Sequence, residues 1–290
     1  MLRAERFISP AQLSRALGLG ESTVKRWIDQ GRIPAEKTPG GHRRIRVSDA
    51  LVLLRRGDGK LVDPAVLGLV ADGASSPDGL ARVLCSAQPE EAERLLEGVY
   101  AAGARAAELA DRWIAPAMAS VGHGWAAGSL AVTSEHRATA VMLRALHAIL
   151  RECPAPPPGA PGAFVAGLSR DPYLLAPLCA QLVLIEAGFD ATNFGPDTPV
   201  EGLEVAIRAQ RPALVALSFS VGESALARSR SALGDACREV GSALVVGGRG
   251  LRPDLVDDIG ATVWCRNMTE LDRMARHLAK QRPDRPVQSD

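Results

Sequence analysis

Apolar positions follow three different patterns along the chain. From Phe7 to Arg56 they come in short runs broken by turn residues. Ser9-Pro10-Ala11-Gln12-Leu13 predicts a helix start, with Ser9 as N-cap and Pro10 at the first helical position. Leu17-Gly18-Leu19-Gly20 ends that helix, because glycine supplies the left-handed turn. Glu21-Ser22-Thr23 opens a second helix through Asp29-Gln30. Val24, Trp27 and Ile28 face inward on it, and Ser22, Thr23, Lys25, Arg26 and Gln30 form its polar face. Thr38-Pro39-Gly40-Gly41-His42-Arg43-Arg44-Ile45 predicts a hairpin, and Ser48-Asp49 begins a third helix, Ala50 to Arg56.

Residues 61–150 change to a helical period, as in Leu95-Leu96 with Val99-Tyr100 and in Ala138-Val141-Met142-Ala145. Glycine and proline breaks predict helices near 62–71, 77–86, 88–103, 105–121 and 130–150, a small bundle. Gly122, Gly124 and Gly128 predict a loop around Trp125. Thr133 or Ser134 then caps the last helix, which puts Glu135 and His136 in its first turn, where the macrodipole favours a carboxylate.

A Pro-rich linker over 151–162 leads to a third pattern, with β-type runs near 163–168, 190–194, 213–218, 243–247 and 262–264. Helical segments near 174–188, 200–210, 223–240, 251–258 and 268–281 alternate with them. Five such units predict a flavodoxin-like doubly wound parallel sheet. Ligands bind such sheets beyond the carboxyl ends of the strands. The expected fold is therefore multidomain, α and α/β: a winged helix-turn-helix head over 1–58, a helical bundle over 61–150, and an α/β domain over 163–281. Residues 282–290 read as a disordered tail.

Composition narrows the function. The 290 residues contain no apolar run of membrane-spanning length, and the start lacks a secretory pattern. Five scattered cysteines without a CxxC spacing support neither a disulfide framework nor a zinc site, so a reducing cytoplasm is expected. The net charge of +1 hides an asymmetry. The first 56 residues hold 12 basic against 5 acidic side chains, leaving 22 against 28 in the rest. A basic head on an acidic body points to double-stranded DNA as partner. Ser22, Thr23, Lys25 and Arg26 are the candidates for the major groove, and Gly41, His42, Arg43 and Arg44 for the backbone phosphates. So small a head needs company, and a homo-oligomer, dimer or tetramer, on a promoter or operator is expected.

The head resembles the winged helices of the MerR and excisionase families, most closely in its Thr-Pro-Gly-Gly-His-Arg-Arg string. The Trp125…Glu135-His136 spacing resembles the helical cap of CarH- and LitR-type cobalamin-dependent repressors, light-responsive regulators that change oligomeric state. That resemblance implies that Trp125 covers the upper face of a corrin and that Glu135 and His136 contact the upper axial group. The loops Ser169-Arg170-Asp171-Pro172-Tyr173, Ser218-Phe219-Ser220-Val221-Gly222 and Gly247-Gly248-Arg249-Gly250 together resemble a cobalamin-binding domain. Asp171, Tyr173, Ser218, Ser220, Gly247 and Gly248 are its implied cofactor contacts. The family's cobalt-ligating His falls at Tyr173 and its closing Gly at Ala176, and the His that CarH-type receptors carry beside the Trp falls at Ala126. A neutral Tyr, with a reference pKa of about 10, is a poor cobalt ligand, so no metal ligand is assigned.

The resemblance implies a non-enzymatic regulator that senses cobalamin, with adenosylcobalamin among the forms, and answers light by releasing DNA as a repressor. In that picture the ligand bridges cap and α/β domain. An alternative is a regulator whose sensor is empty or holds another tetrapyrrole. A corrinoid carrier for methyl transfer is a third reading, which the head and the missing lower His both disfavour.

Overall fold

The computed structural model describes residues 7–55, 62–67, 76–86, 89–101, 103–220 and 230–281. The chain divides into two compact units, Met1–Arg105 with Arg112–Pro154 and Ala106–Asp111 with Ala155–Asp290.

In the first unit the head is built as its turn signals require. Helix α1 (Pro10–Leu17) carries a capping box: Gln12 N donates to Ser9 Oγ at 3.2 Å, and Ser9 N donates to Gln12 Oε1 at 2.8 Å. Gly18, at φ 61°, closes it, and α2 (Glu21–Asp29) follows. Strands β1 (Phe7–Ile8), β2 (Glu36–Lys37) and β3 (Arg43–Arg46) form an antiparallel sheet in the order β1-β3-β2, and α3 spans Val47–Arg55. Ile8, Leu13, Leu17, Val24, Ile33, Ile45 and Leu53 fill the core. That core reaches past residue 58. Val62 N and Asp63 N donate to Ala16 O, a carbonyl left over at the end of α1, and Val66 and Leu67 are buried with the head. The helix expected at 62–71 is therefore a short 3₁₀ turn, Pro64–Leu67, committed to the head; residues 68–71 lie outside the described ones.

The rest of the first unit is a bundle of α4 (Pro77–Cys85), α5 (Pro89–Ala101), α7 (Ala115–Ala126) and α8 (Val132–Glu152). Leu80, Leu84, Leu96, Val121, Met142 and Leu146 are buried, and a Glu93–Arg144 ion pair joins α5 to α8. The loop expected at Trp125 is helical, since α7 runs to Ala126. Gly124 sits inside this helix because Leu130 folds back on it, and a Cβ there would lie 2.7 Å from Leu130 Cδ1. Only Gly128, at φ 71°, does the work of a terminator. Helix α8 starts at Val132 behind Ala131, so Thr133 and Ser134 lie inside its first turn with Glu135 rather than capping it.

In the second unit β4 (Gly162–Leu168), β5 (Asp190–Thr198), β6 (Leu214–Ser218), β7 (Ala243–Gly247) and β8 (Val263–Cys265) form a parallel sheet in the order β5-β4-β6-β7-β8. This is the flavodoxin-like order, with the switch point between β4 and β6. Helices α9 (Leu175–Glu186), α10 (Val200–Gln210), α11 (Arg230–Val240), α12 (Pro253–Ile259) and α13 (Met268–Gln281) complete it. Strand β5 runs four residues past the expected 194, through Gly195-Pro196-Asp197. An edge strand tolerates proline because one side of it needs no ladder bond. The helix expected from 223 begins among the described residues at Arg230, and the tail 282–290 lies outside them. A short helix, α6 (Ala106–Leu109), also belongs to this unit and packs on α9 and α13. No described helix is long and apolar enough to cross a membrane.

Two glycines separate packing from propensity. A Cβ on Gly234 of α11 would lie 2.3 Å from Ile259 O, whereas one on Gly202 of α10 meets nothing within 4 Å. In urea unfolding, Gly202→Ala should add about 0.5–1 kcal/mol. Gly234→Ala should cost about 1–3 kcal/mol despite the same helical gain, and equal stabilities would contradict this α11–α12 packing.

Candidate DNA-binding and cofactor-binding sites

The structure brings the head candidates onto two neighbouring elements. Ser22, Lys25 and Arg26 are exposed on α2, with Thr23 half-buried beside them. Lys25 pairs with Glu21 one turn back at 2.8 Å. Gly41 takes φ 79° in the wing turn, and Thr38 N donates to His42 O at 2.8 Å. The two wing arginines differ in a way spacing could not reveal. Arg43 reaches back to α2, donating to Asp29 Oδ1 at 2.5 Å and to Lys25 O at 3.4 Å. It therefore registers the wing against the helix. Arg44 lies over the Phe7 ring at 4.1 Å with its surface exposed. Sequence reasoning missed Phe7 as an aromatic platform, which Arg46 also approaches at 6.0 Å, and missed Arg32 over Trp27 at 4.7 Å.

On the bundle, Trp125 is 52% exposed at the end of α7, an unusual placement for an indole. On α8, Glu135 Oε2 lies 3.6 Å from His136 Nε2, while Thr139 Oγ1 donates to Glu135 Oε1 at 3.2 Å. The carboxylate is thus held and the imidazole stands in solvent. His123 is exposed on α7 and Ala126 follows Trp125, so the small side chain is the one beside the indole.

In the α/β unit the three strand-end loops meet at the switch point. Asp171 is only 4% exposed. Its Oδ1 accepts Tyr173 N at 3.1 Å and its Oδ2 accepts Ser220 N at 2.5 Å, so one carboxylate ties the loop after β4 to the loop after β6. Asp197 N donates to Asp171 O at 3.0 Å, and Arg170 N donates to Asp197 Oδ1 at 2.6 Å. Arg170 and Asp197 both hold left-handed φ, 71° and 52°, a strain these bonds sustain. Phe219 N donates to Gly247 O at 2.8 Å and Gly250 N to Phe219 O at 2.8 Å, joining the loop after β7. Asp171 thus has work without an imidazole to orient. Gly248 serves loop packing, because at φ 116° a Cβ would lie 2.1 Å from Phe219 O; Gly247 is tight against Cys265 O at 3.0 Å. Tyr173 is 51% exposed, and Val221 and Gly222 of the expected loop lie outside the described residues. Asp197 and Phe219 escaped sequence reasoning because only the chain crossing at the switch point brings them in.

Whether these residues suit a corrinoid turns on Ser218. Its Oγ, on a residue 8% exposed at the end of β6, has no hydrogen-bond partner among the described residues. Such a buried hydroxyl wants a polar partner, and the amides and hydroxyls of a corrinoid's periphery supply that chemistry. The buried thiols of this unit offer no anionic ligand, since burial pushes Cys179 and Cys237 up to about 12 and Cys265 up to about 11. The described residues of the site therefore suit the organic part of the group, and none of them is a histidine.

The Arg43 geometry separates structure from contact. Arg26→Ala should weaken DNA binding across sequences and lower the slope of log affinity against log salt by about 1, with stability unchanged. Arg43→Ala should in addition cost about 0.5–1 kcal/mol of head stability, and a thermal midpoint equal to wild type would contradict its tie to α2.

Comparison with known proteins agrees with this layout. Residues 7–57 match the helix-turn-helix domain and residues 78–150 the B12 binding domain. The head's match is to helix-turn-helix domains at large and does not single out the MerR type. The HTH-type transcriptional repressor CarA of Myxococcus xanthus is 27% identical over 266 residues, 84% of this chain and 87% of that one. The Methanosarcina barkeri monomethylamine corrinoid protein superposes with a TM-score of 0.54 at 17% identity, over 69% of this chain and 96% of that one, which is a likeness of fold. A DNA-binding head joined to a corrinoid-binding body makes this chain a B12-binding transcription regulator.

Proposed function

We propose that the chain represses transcription by binding operator DNA as a homo-oligomer and that cobalamin sets its oligomeric state. It acts without catalysing a reaction, in the cytoplasm. Trp125, an exposed indole within the B12 binding domain match, carries this reading. On the bundle, Trp125 would pack its ring on the group and Glu135 and His136 would contact it; in the α/β unit, Ser218 and Ser220 would be its polar contacts. When bound, the group would supply a bond that light can break. A change in the contacts of Trp125, Glu135 and His136 to the group would then shift the oligomer and release DNA. A ligand can move such an equilibrium only through unequal affinity for the two states.

A second reading, in which the sensor is empty or holds another tetrapyrrole, is favoured by Tyr173 and by the commitment of Asp171 to backbone amides. Absorption spectra decide between them. Protein purified in the dark with hydroxo-, methyl- or adenosylcobalamin should keep a corrin spectrum after desalting, and Trp125→Ala should weaken retention by roughly ten- to fiftyfold, the loss of one aromatic face. Absence of any retained corrin would leave the second reading standing. Sedimentation before and after illumination should show a change of oligomer with adenosylcobalamin alone; an unchanged oligomer and DNA affinity would reject the light response.

A further inference from the structure

We propose that Asp111 is a positioning residue for the sensor: it seats the root of the helical run that ends at Trp125. This deepens the reading above and rests on it only for the role of Trp125.

Ala106–Asp111 is a graft. In sequence it lies among the bundle helices, yet it belongs to the α/β unit. Ala106, Ala107, Leu109 and Ala110 are buried, and α6 packs on α9 and α13. Ala106 N donates to Glu186 Oε2 at 2.9 Å at the end of α9. Asp111 makes the far end fast. Its Oδ1 accepts Met268 N at 2.9 Å, and its Oδ2 accepts Thr269 N at 2.9 Å and Thr269 Oγ1 at 2.6 Å. The carboxylate thus satisfies the first two amides of α13, across 157 residues of sequence, at the end where the macrodipole favours an anion. The third amide, Glu270 N, is taken at 2.8 Å by Asn267, the helix's own cap. Helix α13 is therefore capped twice, and the Asp111 cap is the one that holds another segment.

That segment does not stop at Asp111. Ala110–Ile114 is one turn of π-helix, and α7 continues from Ala115 to Ala126 without a break. Pro116 accounts for the widened turn, because its ring and missing N–H are incompatible with the carbonyl four residues back. The exposed indole of Trp125 thus stands near the end of the helical run that begins with the turn at Ala110 and Asp111.

Two cap removals on the same helix separate positioning from mere capping. In full-length protein without ligand, hydrogen exchange should rise roughly fivefold in the first turn of α13 for both Asp111→Ala and Asn267→Ala, the effect of losing a cap. Only Asp111→Ala should also raise exchange across 106–126, including the peptide that ends at Trp125. Unchanged exchange over 115–126 in Asp111→Ala, or an equal change in both variants, would overturn the proposal. Should Asp111→Ala fail to fold, Asp111→Asn, which keeps one acceptor, carries the same comparison. Hydroxocobalamin retention, measured alongside, should fall at least threefold in the Asp111 variant and stay at the wild-type value in Asn267→Ala. A wild-type chain that retains no cobalamin would defeat the cobalamin reading, and the exchange comparison would still decide the role of Asp111.

Discussion

The sensor half depends on one buried carboxylate. Asp171 lies where the parallel sheet reverses its winding, and its two oxygens accept amides from loops on either side of that reversal. A buried charge is costly unless every lone pair is engaged, and short bonds to N–H donors are the cheapest means of engaging them. The loops after β4 and β6 are consequently a single body. The strained backbone at Arg170 and Asp197 is held by the same network. With the loops so joined, Ser218 is buried with no hydrogen-bond partner for its hydroxyl among the described residues.

The head follows the same logic with weaker forces. Its core of aliphatic side chains orients α2 and the wing, and Arg43 then locks their register through Asp29 and Lys25. A guanidinium so used fixes the register of the wing against α2. The platform of Phe7 under Arg44 does comparable work, since a stacked guanidinium loses less freedom on meeting a phosphate. Both devices favour a pre-formed DNA-binding surface on a small domain.

Helix α7 carries the clearest lesson on glycine. Gly122 and Gly124 suggest a loop, yet the helix passes through both: at 124 Leu130 occupies the space a side chain would need, whereas a Cβ at 122 would meet nothing within 4 Å. Glycine marks either freedom of backbone or closeness of a neighbour, and a single sequence does not distinguish them. Gly248 unites both meanings, with a left-handed φ and the Phe219 backbone against it. Gly234 shows the second alone.

Local physics determined a great deal from the sequence alone. The alternation of β runs and helical segments is enough to specify five parallel units, because burial on both faces makes the inner strands β4, β6 and β7 apolar runs, while the edge strand β5 is polar and half-exposed. Caps and turns such as Ser9, Gly18 and Thr38-Pro39-Gly40-Gly41 specify the head, since their bonds close within a few residues. The candidate residues Trp125, Glu135, His136, Asp171 and Ser218 were legible as residues, and their positions near helix and strand ends with them. What each does was not, because the deciding partners are far away in sequence. Asp171 meets Ser220 across 49 residues, Arg43 meets Asp29 across 14, and Asp111 meets α13 across 157. Hydrogen bonds of that range carry no period and no spacing, so only the tertiary structure, by bringing remote backbone amides within 3 Å of a carboxylate, could assign them.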